Sequence, residues 1–239
     1  MINIKEYTDT INEYRAFLSS FLGEEITENK IHKLKTAFDQ YYSSRPVVDN
    51  SGGSGPIHSF WFFLLVKLFS PELIIESGVW KGHTTWLFRR AAPLSVIHCF
   101  DISLNQIVYR DPDAHYHECD WVDFDIESKN ARKSLLFFDD HIDQSKRIIE
   151  AWKRGFKYLI FDDGVKIDEV ERVGIPPFPS VQMLFDENLE FSKDYYYDFN
   201  GKQYTYTHDR QLIEKTRPLI KDFIILENTY TAVTLVILS

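Results

Sequence analysis

Apolar positions follow two different rhythms along the 239 residues. Through residues 1–45 they recur at helical spacing, first Ile11, Tyr14, Phe17, Leu18 and Phe21, then Ile31, Leu34, Phe38 and Tyr41. The spacing predicts two amphipathic helices broken near Gly23. Such helices cover a site or build a dimer surface; packing on the core is the simpler reading. Beyond residue 57 short apolar runs alternate with helical stretches. Helix His58–Phe69 leads into strand Leu73–Glu76, and helix Thr84–Ala92 follows. Strands Val96–Asp101, Ala114–Cys119 and Ser134–Phe138, helix Ile142–Arg154 and strand Phe156–Phe161 continue the alternation. Helix Asp209–Arg217 and strands Asp222–Leu226 and Ala232–Leu238 close the chain. This alternation predicts an α/β fold with a doubly wound parallel sheet and ligands at the carboxyl ends of its strands.

The rhythm breaks over residues 165–210. Ile175-Pro-Pro-Phe-Pro-Ser180 fits neither a regular helix nor a central strand. The stretch after it carries Tyr195, Tyr196, Tyr197, Tyr204 and Tyr206. Such rings suit a flat, hydroxylated ligand, and equally an irregular excursion covering the core. A helical segment with a glycine-rich loop (1–56) and a larger domain (57–239) containing this excursion are the expected parts. The loop, Asn50-Ser-Gly-Gly-Ser-Gly-Pro56, reads equally as a flexible linker or as a cofactor loop.

Composition narrows the class. A 44% hydrophobic and 15% aromatic content excludes general disorder. The net charge of −9 makes a nucleic-acid backbone an unfavourable partner. Cys99 and Cys119, both in predicted strands, read as buried thiols of a reducing compartment. The first residues lack a signal-sequence pattern, and the apolar run Phe60–Phe69 is too short to span a bilayer. A cytoplasmic protein without membrane contact is the expectation.

The turn after the first strand carries the most chemistry. Leu73–Phe88 runs from a buried strand through Glu76, Gly78 and Gly82 into a helix whose first turn holds Thr84 and Thr85. A strand, a glycine turn and a helix N-terminus make a ligand site. A dinucleotide turn needs Gly-x-Gly-x-x-Gly, and Trp80 stands where the middle glycine belongs, which argues against an NAD-dependent sugar enzyme. A phosphate loop of the Gly-Lys-Ser/Thr kind is absent. Glu76-Ser-Gly-Val-Trp-Lys-Gly82 instead resembles motif I of the class I S-adenosylmethionine (SAM) methyltransferases, most closely the macrocin-type sugar O-methyltransferases. The resemblance covers about Leu73 to Gly164. It implies a Rossmann-like, mostly parallel seven-stranded sheet with helices on both faces and a C-terminal antiparallel hairpin.

The resemblance also assigns roles. Glu76, Gly78, Gly82 and Thr84 would contact SAM; the threonines also serve as candidate helix caps. Asp101, ending the second strand, suits the ribose hydroxyls, and Asp120-Trp121 matches the adenine pair. Asp139-Asp140-His141 and Asp162-Asp163 end two predicted strands, and carboxylates gathered there repel unless a cation relieves them. Asp140, Asp162 and Asp163 match the family's acids for a divalent ion, Mg²⁺ or else Mn²⁺ or Ca²⁺. Asp139 stands on the cofactor side or takes Asp140's place. The ion would hold sugar hydroxyls and acidify the attacking one. His141 is the candidate general base. The family's histidine lies three residues past its first metal acid, where this chain has Asp143, the second candidate. The other histidines show no Cys/His metal spacing, and His98 reads as a sheet residue. The implied function is methyl transfer to a sugar hydroxyl of a glycan or glycosylated small molecule, in a protein that pairs through its N-terminal helices if it is oligomeric. A catechol-type enzyme and a noncatalytic SAM- or nucleotide-binding module are the alternatives.

Overall fold

The computed structural model describes residues 4–126, 133–167, 179–199, 201–226 and 231–239. The strands in chain order are β1 (Leu73–Ser77), β2 (Val96–Phe100), β3 (His115–His117), β4 (Ser134–Phe138), β5 (Tyr158–Gly164), β6 (Asp194–Phe199), β7 (Lys202–Thr207), β8 (Ile220–Leu226) and β9 (Ala232–Leu238). Seven of them make one mostly parallel sheet in the order β3-β2-β1-β4-β5-β9-β8, and β6 with β7 makes a separate ribbon. The chain forms two compact units, Met1–Asp140 and His141–Ser239.

In the first unit β1 lies parallel between β2 and β4, with Leu73 aligned to Val96 on one side and to Ser134 on the other. Every residue of β1 and β4 is buried. Strands covered on both faces are predominantly apolar, as Leu73–Ile75 of β1 and Leu135–Phe138 of β4 are. Helix α4 (Pro56–Phe69) starts with proline at its first position, where the missing N–H costs nothing. Phe60 through Val66 are at most 1% exposed. A helix apolar all round has to be covered all round. Phe62 meets Phe137 of β4 edge to face at 4.9 Å.

The N-terminal helices cover the other side of α4. Tyr7 of α1 (Ile4–Glu13) and Phe38 of α3 (Glu28–Ser43) meet Phe60 at 4.8 and 5.2 Å. Phe21 of α2 (Arg15–Leu22) meets Phe69 at 5.6 Å. Three helices thus stand where two were expected. Gly23 closes α2 in the left-handed region as expected, and a further break follows Glu13.

In the second unit β9 pairs antiparallel with both β5 and β8, and all seven of its residues are buried. Helix α6 is Gln144–Lys153. Strands β6 and β7 differ from the expected irregular excursion. They form an antiparallel hairpin that pairs Tyr195 with Tyr206 and Tyr197 with Tyr204. Tyr195, Tyr197 and Tyr206 pack with Val165, Met183 and Leu189. Ile175–Phe178 of the proline run lie outside the described residues, while Ser180 caps the short helix Val181–Phe185. Cys99 is a buried free thiol in β2, but β3 ends at His117 and leaves Cys119 beyond the strand and only half-buried. No described helix is long and apolar enough to cross a membrane.

Candidate functional site

The turn after β1 is held by the acid that ends β2. Asp101 Oδ2 accepts the backbone N–H groups of Val79 and Trp80 at 2.9 and 3.0 Å, and Oδ1 accepts from Ser103 at 3.0 Å. Gly78, Trp80 and Gly82 all lie at positive φ. A Cβ on Gly78 would stand 2.2 Å from the Asp139 carbonyl oxygen, and one on Gly82 2.1 Å from that of Tyr109. Neighbouring backbone therefore demands both glycines. The Trp80 indole donates to Gln106 Oε1 at 2.7 Å and carries the Lys81 ammonium 4.3 Å above its ring.

The glycine-rich loop lies on that indole. A Cβ on Gly53 would meet Trp80 at 2.8 Å, and Lys81 Nζ donates to the Asp49 carbonyl at 2.9 Å. Between the two expected readings, the loop is packed against the turn and does not act as a free linker.

Glu76 is fully buried beneath the turn. Its Oε2 accepts from Thr85 Oγ1 at 2.6 Å and Cys99 Sγ at 3.3 Å, whereas Oε1 has no hydrogen-bond partner. Burial pushes this carboxyl up to about 8; Asp101 nearby adds to the rise, and the bonds from Thr85 and Cys99 oppose it. At neutral pH it is largely a protonated acid able to donate. Neither threonine caps the helix α5 (His83–Ala91), whose N-cap is Gly82. Thr84 is buried in its first turn, and Thr85 serves Glu76. His83 Nε2 bonds Ser59 Oγ at 3.0 Å, and burial, with help from Arg45, pulls its imidazole down to about 4.

The remaining acids of this unit are placed with less ambiguity. Asp120 caps the short helix Trp121–Asp123 by accepting from Val122 N at 3.3 Å. Trp121 is fully buried, edge-on to Phe138 at 5.7 Å. Asp139 N bonds the Ser77 carbonyl at 2.8 Å, and Asp140 Oδ2 accepts from Ser77 Oγ at 2.6 Å.

In the second unit His141 Nε2 and Asp163 Oδ2 stand 2.7 Å apart, the imidazole half-exposed and the carboxylate buried. Both residues are in the left-handed region, at φ 54° and 58°. Non-glycine residues occupy it at a cost of order 1–3 kcal/mol, which usually marks function. Asp162 is also buried, and its Oδ1 accepts the Asp163 N–H at 3.0 Å. Donation from Nε2–H to Asp163 selects the tautomer with its basic lone pair on Nδ1. Such a base with its orienting carboxylate is a unit for removing a proton. Asp143, the second candidate base, caps α6, its Oδ1 accepting from Ser145 N and Oγ at 2.8 and 2.6 Å and from Lys146 N at 3.2 Å. Gln144 links the Asp162 carbonyl to Val181 N. The supporting roles of Ser59, Ser77, Gln106 and Gln144 rest on long-range contacts for which no local pattern exists.

The chain resembles solved methyltransferases. It overlays on the S-adenosylhomocysteine-bound methyltransferase PaMTH1 of Podospora anserina with a TM-score of 0.50 and 13% identity, over 97% of this chain and 96% of that one. A candidate O-methyltransferase from Klebsiella pneumoniae gives a TM-score of 0.50 at 12% identity, over 87% and 89%. No protein-family model and no curated protein sequence matches the chain. At these identities the likeness establishes the fold, the Rossmann-like α/β sheet of the methyltransferases.

Proposed function

We propose that this protein is a SAM-dependent O-methyltransferase acting on a hydroxyl of a sugar or glycosylated small molecule with the help of a divalent cation. The observation that carries the reading is the Ser77–Gly82 turn, closed to a pyrophosphate by Trp80 and gripped by Asp101, in a fold shared with a chain solved with S-adenosylhomocysteine. The residues fit SAM: Glu76 offers a buried, unpartnered carboxyl oxygen beside the turn. Glu76, Gly78, Gly82 and Thr84 would border the methionine half, Asp101 the ribose, and Asp120 with Trp121 the adenine; Asp139 would border the donor as well.

When bound, SAM supplies an electrophilic methyl and the cation supplies a Lewis acid for the acceptor hydroxyl. Asp162 and Asp163 offer the buried oxygen donors that Mg²⁺ or Mn²⁺ prefers. His141, oriented by Asp163, takes the hydroxyl proton. The tyrosine hairpin supports a flat, hydroxylated acceptor: Tyr197 and Tyr204 stack at 5.5 Å and Tyr196 is largely exposed.

Isothermal titration with SAM and with NAD tests the cofactor, and tighter binding of NAD would end the proposal. Transfer of labelled methyl to sugar and catechol acceptors, with and without EDTA, tests acceptor and cation. Full activity in EDTA removes the cation from the mechanism.

A further inference from the structure

The parallel register of β2 and β3 sets His98 beside His115 and Phe100 beside His117. Alternate residues of a strand share a face, so four rings gather on one side of this sheet edge. His98 Nδ1 and His117 Nε2 are 3.0 Å apart. The His98 and His115 rings are 4.8 Å apart, and those of His98 and His117 lie nearly coplanar in orientation at 5.3 Å. Phe124 covers the group, 4.3 Å from His117 and 5.9 Å from His98.

We infer that His98, His115 and His117 form an imidazole site for a borderline transition ion of the Zn²⁺, Ni²⁺ or Cu²⁺ class, separate from the acids of the proposed methyl-transfer centre. Zinc–imidazole bonds of about 2.0–2.1 Å put the ligand nitrogens of a tetrahedral site about 3.3–3.4 Å apart, a few tenths of an ångström wider than the 3.0 Å between His98 Nδ1 and His117 Nε2. The proton now shared between those two rings moves to the outer nitrogen of its ring, and both inner nitrogens then present lone pairs to the ion. His115, on the exposed side, closes on the ion by rotating its side chain. Imidazole donors select this class of ion over Mg²⁺ or Ca²⁺.

One further feature suits the role. His98 lines a cavity of about 410 Å³ with Glu72, Asp125 and Phe124 among its walls. The cavity leaves room for water or a carboxylate to complete the coordination.

Cobalt(II) is the probe, because its visible absorption reports nitrogen coordination. The intact protein is titrated in excess Mg²⁺, which occupies oxygen-rich sites. The expected result is one Co²⁺ per chain, displaced by Zn²⁺. Affinity should fall about tenfold or more in His117→Ala and in His115→Ala, judged against the 10–100-fold that even an outer-shell ligand change costs. Asp163→Asn should leave binding unchanged. Failure of the folded protein to bind Co²⁺, or undiminished binding in the His115→Ala/His117→Ala double variant, would overturn the inference. Circular dichroism of each variant separates loss of ligands from loss of fold.

Discussion

The turn at Ser77–Gly82 and the strand end at Asp162–Gly164 with His141 both use left-handed backbone, and for opposite reasons. In the turn two of the three such positions are glycines with no space for a Cβ, and the shape is held through backbone N–H groups by Asp101. At the strand end the positions belong to His141 and Asp163, whose side chains bond each other. The first region is built by steric exclusion and presents a surface. The second keeps backbone strain so that two reactive side chains meet, which is where strain points to chemistry. Damage to the first should cost folding or cofactor binding, and damage to the second should cost turnover.

Gly78→Ala tests the steric half most severely. Its Cβ would collide with the Asp139 carbonyl at a positive φ, so a loss of roughly 3–5 kcal/mol in denaturant unfolding is expected, from overpacking and left-handed strain together. Gly23→Ala has positive φ but open space around it, and should cost only about 1 kcal/mol. Equal losses would show that crowding is not what demands Gly78.

His141→Ala should lower the rate of methyl transfer by about 10²–10⁴-fold with the melting temperature nearly unchanged, the contribution of a positioned base. Unchanged turnover would reassign the base, with Asp143 next in line. Asp101→Ala frees two turn N–H groups and should weaken SAM binding by about 1–3 kcal/mol in a calorimetric titration. Wild-type affinity there would mean that the turn keeps its shape without Asp101.

The last test is one of pH. Glu76 holds its proton up to about 8 in the folded chain, against an ordinary value of 4.5. The unfolded chain loses that proton first, so this group favours folding fully below about 4.5 and less and less as pH rises through 8. Glu76→Gln cannot ionise. Its stability relative to the parent should rise between about pH 5 and pH 8, and a difference that stays flat with pH would mean that Glu76 is charged when folded.

Periodicity carried the frame of this protein. Ser134–Phe138 and Ala232–Leu238 form strands over the residues the pattern marks, because strands buried on both faces read as short, predominantly apolar runs. The Glu76–Gly82 turn was equally legible, since left-handed backbone and close approach leave glycine almost no substitute. The β6–β7 hairpin was missed although Asn200-Gly201 between two tyrosine-rich runs is a strong hairpin signal; the density of polar residues masked the alternation.

Other features depend on which distant residues the fold makes neighbours. Local sequence assigns an acid to the end of β2, but only the folded chain turns Asp101 onto the N–H groups of Val79 and Trp80. It marks His98 as a strand residue and His115 and His117 as unremarkable, and only the β2–β3 register brings the three rings together. Pattern along the chain determines which residues must be buried or must turn, because those are local demands of solvent and sterics. Partnership across some twenty residues or more is set by strand order and register, so the grip on the turn, the unpartnered oxygen of Glu76 and the histidine cluster belong to the tertiary structure alone.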